Sequence, residues 1–284
     1  MRAAAILGLG TSPRNLSQFQ EDPSVTWLTG MPANSADADA ILILGGDGTI
    51  HRHLAELVRL QLPVLVVPCG SANDFARALG FRSVHGAVAA WRNFVATRGN
   101  TRQIDLGVIA AEKDDANRRY FCCVAGVGID TEIARAANAL PRWLRGYGGY
   151  ALMLPPMLAR FKPVIARMTT PGNSSPEFKP IIVAAFANTP IYGGGMRIAP
   201  RAQLDDGLLD LCIVNNMNKL ALLTLFPTIY FGRHLSIRQV SYSQTARVAV
   251  QTEPSTDIYA DGEYVCQTPA EVSIAPRALS VIIP

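Results

Sequence analysis

Charge is scarce in this 284-residue chain: Asp, Glu, Lys and Arg together make up 17% of it, against 49% hydrophobic residues, which excludes a disordered polypeptide. Cysteine is also sparse. The five thiols (Cys69, Cys122, Cys123, Cys212, Cys266) are an odd number with no C-x-x-C pair, and adjacent cysteines do not easily bridge. They read as buried thiols in a reducing compartment. No apolar run reaches the ~18 residues of a membrane span, and MRAAAILGLG is short for a signal peptide and reads as a first strand and turn. A net charge of +4 is too weak to imply nucleic acid. The most local deficit is of acid: between Ile133 and Pro176 there is no Asp or Glu, but six basic residues, Arg135, Arg142, Arg145, Arg160, Lys162 and Arg167.

Apolar runs of strand length recur at AAAILG (3–8), SVTWLT (24–29), AILILG (40–45), PVLVVP (63–68) and QIDLGVI (103–109). Helical spacing falls between or after them at 50–60, 75–79 and 84–94, and that alternation predicts a parallel sheet flanked by helices. After Tyr120 the texture changes to short strands separated by turn residues: YFCCVAG, PVIARMTT, PIIVAAFAN, GLLDLCIV, SIRQVSYS, ARVAVQT, TDIYADG, EVSIAP and LSVIIP. These predict a β-rich antiparallel sandwich, interrupted by helices at 130–140, 143–161 and 219–234. The charged AEKDDANRR places the boundary, giving an α/β domain over 1–112 and a β-rich domain over 113–284 whose last strand is free to return to the first.

The most specific local feature is ILILGGDGTIHRHLAEL (41–57), a buried strand, a glycine turn and an amphipathic helix with Ile50, Leu54, Leu57 and Val58 on one face. Such a turn offers backbone N–H groups and the positive end of a helix dipole to an anion, and Gly45, Gly46 and Gly48 allow close approach. GGDGT is expected by chance on the order of once in 10⁶ positions. Asp47 at its centre would repel a bare phosphate, so it implies a cation or a hydroxyl proton in between. His51 and His53, two apart on a helix, make a poor ligand pair and read as surface or groove-lining side chains. PCGSANDFARAL (68–79) repeats the strand, turn and helix plan, with Gly70, Ser71 and Asn73 as donors and Asn73 or Asp74 as helix cap. In doubly wound sheets, ligands collect at such strand ends.

GGDGT (45–49), PCGSANDFAR (68–77), IDLG (104–107), YGGGMRIAPRAQLDDGLLDL (192–211) and DGE (261–263), in this order, resemble the diacylglycerol kinase catalytic family, and most closely its soluble bacterial lipid kinases. NAD kinases and phosphofructokinases share GGDG-type loops but lack the GTxND-like and LDDG elements. The resemblance implies an NAD kinase/phosphofructokinase-like α/β domain joined to a β-rich one, with ATP in the cleft between them. It also implies transfer of the γ-phosphate to a hydroxyl of diacylglycerol or a related long-chain lipid alcohol. By position, Gly46, Asp47, Gly48, Thr49 and Ser71 are expected to line the phosphates, with Gly45, Gly70 and Asn73 in the same loops and Thr29 near the nucleotide. Ser71 stands where the family usually has Thr. Gln203, Asp206 and Leu208 are expected around a structural Mg²⁺, an oxygen set that suits a hard cation, and Asp210 is expected to face solvent.

A lipid alcohol needs its proton removed as the bond to phosphorus forms. Asp261 is the expected base with Glu263 in support, or the reverse, and Asp47 is expected to help hold the catalytic Mg²⁺. Asp105 reads as half of a structural ion pair. Two departures bear on the nucleotide: GLGTSPRN replaces the usual first loop, with Arg14 as a substitute cation, and His51-Arg52 replaces the usual Asn-Glu. PRWLRGYGGYALMLPPMLARFK, with Trp143, Tyr147, Tyr150 and Phe161 among arginines, suggests peripheral contact with a membrane surface through 141–167. The expectation is therefore a cytoplasmic, membrane-associated lipid kinase using ATP and Mg²⁺, with a homodimer allowed and no nucleic-acid partner. The rival readings are an NAD-kinase-like nucleotide kinase and a non-catalytic lipid-binding relative.

Overall fold

The structure is a computed structural model and describes residues 1–111, 114–140, 149–173 and 176–284. Its first part is a parallel sheet in the order β4 (Val64–Pro68), β3 (Ala40–Gly45), β1 (Arg2–Leu7), β2 (Thr26–Thr29). β1 and β3 are almost wholly apolar and lose nearly all their exposure, as strands covered on both faces must. The cover comes from the helix Asp47–Leu60, which buries Ile50, Leu54, Leu57 and Leu60, and from the helix Val84–Thr97, which buries Ala87, Val88, Trp91 and Phe94. Between them Asp74–Ala78 is a single short turn that carries Phe75 into the core. Every strand expected in this part forms.

The second part is antiparallel. β9 (Lys179–Ala187) is its hub, pairing with β7 (Val124–Gly128), β8 (Val164–Thr169) and β10 (Leu209–Asn215). β10 also carries β11 (Val240–Thr245), and β8 carries β12 (Arg247–Glu253). β5 (Thr101–Ala111) and β6 (Asp114–Phe121) form a hairpin. The two segments read as separate strands near the end are one long strand, β15 (Ala270–Ile282), with a bulge between Ala275 and Leu279. β15 pairs with β12, runs antiparallel to β5, and at Val281 meets Val64 of β4, so the chain returns to the first sheet. EYVCQ, not anticipated as a strand, forms β14 (Glu263–Gln267) as the return arm of a hairpin from β13 (Asp257–Ala260). A helix spans Ile129–Asn138, a second Gly149–Arg160, and a third Lys219–Leu225, after which 3₁₀ turns replace the longer helix expected to 234.

Two expectations are corrected by packing. Phe161, read as interfacial, is 5% exposed and sits in the second core with Leu154 and Leu158. Asp210, read as solvent-facing, is buried and accepts a 2.6 Å hydrogen bond from the Tyr242 hydroxyl. Trp143 and Tyr147 lie outside the described residues. No helix among the described residues is long and apolar enough to cross a membrane.

Candidate active site

The carboxyl ends of β3 and β4 face the antiparallel part across a cleft of about 480 Å³. Its floor is set by the close approach of the two glycine loops. A Cβ built on Gly70 would lie 2.4 Å from the Gly46 Cα, so only hydrogen fits between the two backbones. Asn73, in the left-handed region at φ +56°, pins the second loop by accepting from the Gly70 N–H (2.7 Å) and donating to the Gly70 carbonyl (2.8 Å). Gly46, Gly48, Thr49, Gly70 and Ser71 line the cleft. Gly45 and Asn73 shape the loops from behind, and Thr29, at the exposed end of edge strand β2, is not among the lining residues.

Asp47 links the two loops. Its Oδ1 accepts from the Phe75 N–H and its Oδ2 from the Asp74 N–H, both at 3.0 Å, so one carboxylate caps the helix of the other loop. Burial, and next to it the Asp74 charge, push its carboxyl up to about 6. Asp74 Oδ2 accepts from the Gly194 N–H at 2.7 Å, which ties the YGGG segment to the cleft. Among the described residues Asp74 Oδ1 makes no hydrogen bond, and the Arg77 guanidinium stands 3.9 Å from it. A buried carboxylate oxygen without a donor, beside a second acid raised by burial and repulsion, suits a bound cation.

Asp261 and Glu263 take different surroundings from one turn. Asp261 and Gly262, at φ +51° and +86°, form the two-residue loop of the β13–β14 hairpin, the Asp-Gly pairing such turns favour. The Asp261 side chain is fully buried. It accepts from the Cys122 and Cys123 N–H groups at 2.8 Å each and from the Val124 N–H at 3.3 Å, and it lies 3.0 Å from His51 Nδ1. Burial opposes its ionisation most, yet His51 and the backbone donors hold its carboxyl below the usual carboxylate range. Glu263 starts the return strand, is exposed, and lines the cleft with its Oε1 beside Gly48.

Four lining residues escaped the sequence reading as functional groups. Asp130, at the start of the 129–138 helix, is buried, is raised to about 6 by that burial, and accepts a 2.8 Å bond from the Tyr192 hydroxyl. Arg52 and Asp74 complete the four, and their motifs were visible although their direction was not. Arg14, offered as a substitute cation, is exposed and outside the lining. The 203–208 turn lies apart from the cleft. There Asp206 is exposed and accepts from the Leu208 N–H (3.0 Å) and the Gln244 side chain (3.3 Å), with Gln203 and Leu208 flanking it. Asp105 makes no ion pair among the described residues. Its two oxygens instead accept from the Arg277 and Gly207 N–H groups, each at 2.7 Å.

The chain matches the diacylglycerol kinase catalytic domain over residues 20–109 and the YegS C-terminal NAD kinase beta sandwich-like domain over 123–283. It is 35% identical over 246 residues to a diacylglycerol kinase of Mycobacterium tuberculosis (strain H37Rv), covering 87% of this chain and 77% of that protein. It belongs to the diacylglycerol kinase family. A probable YegS-like lipid kinase of Chromohalobacter salexigens is 30% identical over 270 residues, covering 92% and 83% of the two chains. Among solved structures, a putative diacylglycerol kinase from Bacillus anthracis superposes with a TM-score of 0.77 at 19% identity over 100% of this chain and 95% of that one. An NAD kinase from Archaeoglobus fulgidus in complex with ATP gives 0.56 at 14% identity over 99% and 93%. These two likenesses establish the fold, a parallel-sheet domain joined to a β-sandwich, for this member of the diacylglycerol kinase family.

Proposed function

We propose that this protein is an ATP-dependent kinase that transfers the γ-phosphate to the hydroxyl of diacylglycerol or a related long-chain lipid alcohol. One observation carries the lipid reading: Tyr192 is a wall shared by the acidic cleft and by a second cavity lined almost wholly with apolar side chains, among them Ile133, Leu154, Ile182, Met217, Leu222 and Phe226. A soluble nucleotide acceptor has no use for an apolar chamber there, whereas the first methylenes of a lipid tail suit its roughly 70 Å³.

In this reading the glycine loops hold the triphosphate through backbone N–H groups. Asp47 and Asp74 hold a divalent cation, which when bound with ATP neutralises the phosphate charge that builds during transfer. Glu263, exposed in the cleft beside Gly48, takes the proton of the lipid hydroxyl. Asp261 is a positioning residue here, because its carboxylate is already saturated with donors and held easy to ionise, which makes it a poor base. Asp130 and Tyr192 stand where the lipid headgroup passes from the apolar chamber to the phosphates. A second hard cation at Gln203, Asp206 and Leu208 is supported by the exposed Asp206 carboxylate. Membrane contact through 141–167 is supported by Leu152, 52% exposed on the helix that also carries Arg160.

The test is transfer of labelled γ-phosphate to a panel of diacylglycerol, monoacylglycerol, sphingoid base, ceramide and phosphatidylglycerol in mixed micelles, with NAD as a lipid-free acceptor. Transfer to at least one lipid, lost in Glu263→Gln, is expected. Phosphorylation of NAD alone, or no transfer to any acceptor, overturns the reading.

A further inference from the structure

The thiols of Cys122 and Cys123 have no part in the chemistry above, although their backbone N–H groups hold Asp261. Adjacent residues of an extended strand point to opposite faces. Here the chain bends between β6 and β7, and both side chains turn the same way, leaving the two Sγ atoms 3.9 Å apart. Cys122 Sγ is 3.4 Å from Asp261 Oδ2, and one ligand atom from each of the three residues lies within 4.8 Å of the others. The two measured edges, 3.9 and 3.4 Å, match those of a metal tetrahedron. With zinc–sulfur bonds of about 2.3 Å and zinc–oxygen bonds of about 2.0–2.2 Å, tetrahedral angles require S···S of about 3.8 Å and S···O of about 3.5 Å.

The donor set is selective. Two thiolates with one carboxylate favour a thiophilic cation over the hard cation proposed for Asp47 and Asp74. Access exists as well: Cys123 and Asp261 line the cleft, so an ion entering there meets the site from its open side.

We propose that Cys122 Sγ, Cys123 Sγ and Asp261 Oδ2 form a three-ligand site for a thiophilic divalent cation of the zinc class at the floor of the cleft, with its fourth position open to the cleft. Two sulfur–metal bonds form as two S–H bonds release their protons to solvent, and no atom changes oxidation state. Occupation draws the Asp261 carboxylate from His51 and so silences the cleft. That last consequence rests on the lipid-kinase reading; the binding site does not.

The experiment titrates Cd²⁺ into the reduced, metal-free full chain and follows the ultraviolet sulfur-to-cadmium charge-transfer band together with proton release. Saturation at one ion per chain, two protons released per ion and displacement by Zn²⁺ are expected. Cys122→Ser with Cys123→Ser should abolish the band, and Asp261→Asn should keep it with at least tenfold weaker binding. Absence of a saturable band overturns the site, and so does a band unchanged in the double variant, since the ion would then lie on Cys69, Cys212 or Cys266. Circular dichroism monitors folding; should the double variant not fold, the proton count and the Asp261→Asn result decide. Binding of Zn²⁺ without loss of lipid phosphorylation strikes only the inhibitory consequence. Binding by a chain that phosphorylates no lipid strikes the kinase reading and leaves the site standing.

Discussion

His51 Nδ1 and Asp261 Oδ2 stand 3.0 Å apart across the interface of the two domains, although 210 residues separate them in the chain. His51 belongs to the helix that follows the first glycine loop, Asp261 to the hairpin turn that presents Glu263, so this pair registers the glycine-loop side of the cleft against the hairpin side. It also accounts for the histidine after GGDGT: His51 turns inward to the hairpin while its neighbour Arg52 lines the cleft.

The pair makes stability depend on pH. Burial disfavours the charged imidazole, but the hydrogen bond and charge of Asp261 outweigh it and raise His51 above its ordinary 6.5. A raised histidine contributes fully below its unfolded value and loses that contribution as pH rises through the folded one. Asp261, held below its ordinary 3.8, contributes above that value and loses it as pH falls through the depressed one. The contribution is therefore complete between pH 3.8 and 6.5. His51→Ala should cost about 2 kcal/mol in that window and visibly less at alkaline pH, as urea unfolding of both proteins at the two pH values would measure.

Glu263 and Asp261 should separate in their effects. Glu263→Gln removes an exposed proton acceptor and should lower kcat by about 10²–10⁴-fold with the melting temperature unchanged. Asp261→Asn replaces one acceptor oxygen with a donor that faces either the Cys122 N–H or those of Cys123 and Val124, so it should lower stability by about 2–4 kcal/mol along with activity. Steady-state kinetics beside thermal unfolding distinguish the two. Equal stability loss in both variants would contradict the division of roles.

What the sequence disclosed and what it withheld divide along the range of the interactions. The strands of the parallel sheet and the glycine loops were legible because apolar runs and turn residues are local signals. YADGEYV was legible as a site but not as a hairpin, since TDIYADG reads as a strand and EYVCQ after it does not. Asp105 shows why partners were not: nothing local says that its oxygens meet the backbone of Gly207 and Arg277, 102 and 172 residues away. Asp130 and Tyr192 escaped for the same reason, since their significance lies in meeting each other over 62 residues.

Gly70 and Gly48, one from each glycine loop, should differ in tolerance. Gly70→Ala forces a methyl group to 2.4 Å from the Gly46 Cα, a backbone atom that cannot swing aside, so the loops must separate and Mg·ATP binding should fall more than tenfold. Gly48→Ala meets nothing closer than Glu263 Oε1 at 3.5 Å and sits in the first turn of a helix, where alanine is preferred to glycine by up to about 1 kcal/mol. Its melting temperature should match or exceed that of the unaltered protein. Calorimetric nucleotide titration and thermal unfolding of the two variants check both halves.

Asp105→Ala should be destabilising without touching the cleft. The carboxylate is 1% exposed and is the acceptor for two backbone N–H groups, one of them on Arg277, whose φ of +52° keeps it in the left-handed region. Its loss leaves both donors without that acceptor and frees the bulge of β15, at a cost of about 2–4 kcal/mol. Denaturant unfolding is the measurement, and a cost under about 0.5 kcal/mol would mean that solvent replaces the carboxylate.

On the proposed function, Asp47 should set the pH dependence of cation binding. Its carboxyl, pushed to about 6 by burial and by Asp74, is protonated in acid, and a cation must then displace that proton. As pH rises through 6 the carboxylate forms without a cation and sits uncompensated beside Asp74, so binding relieves a repulsion already present. The affinity for Mg·ATP should therefore strengthen by about tenfold from pH 5 to pH 7 and level off above. Calorimetric titration in buffers of different ionisation enthalpy would register proton release at pH 5 and almost none at pH 7.5. Asp47→Asn, which keeps the shape but cannot ionise, should bind more weakly and lose this slope; a slope that survives the substitution would assign the proton to Asp74 or Asp130.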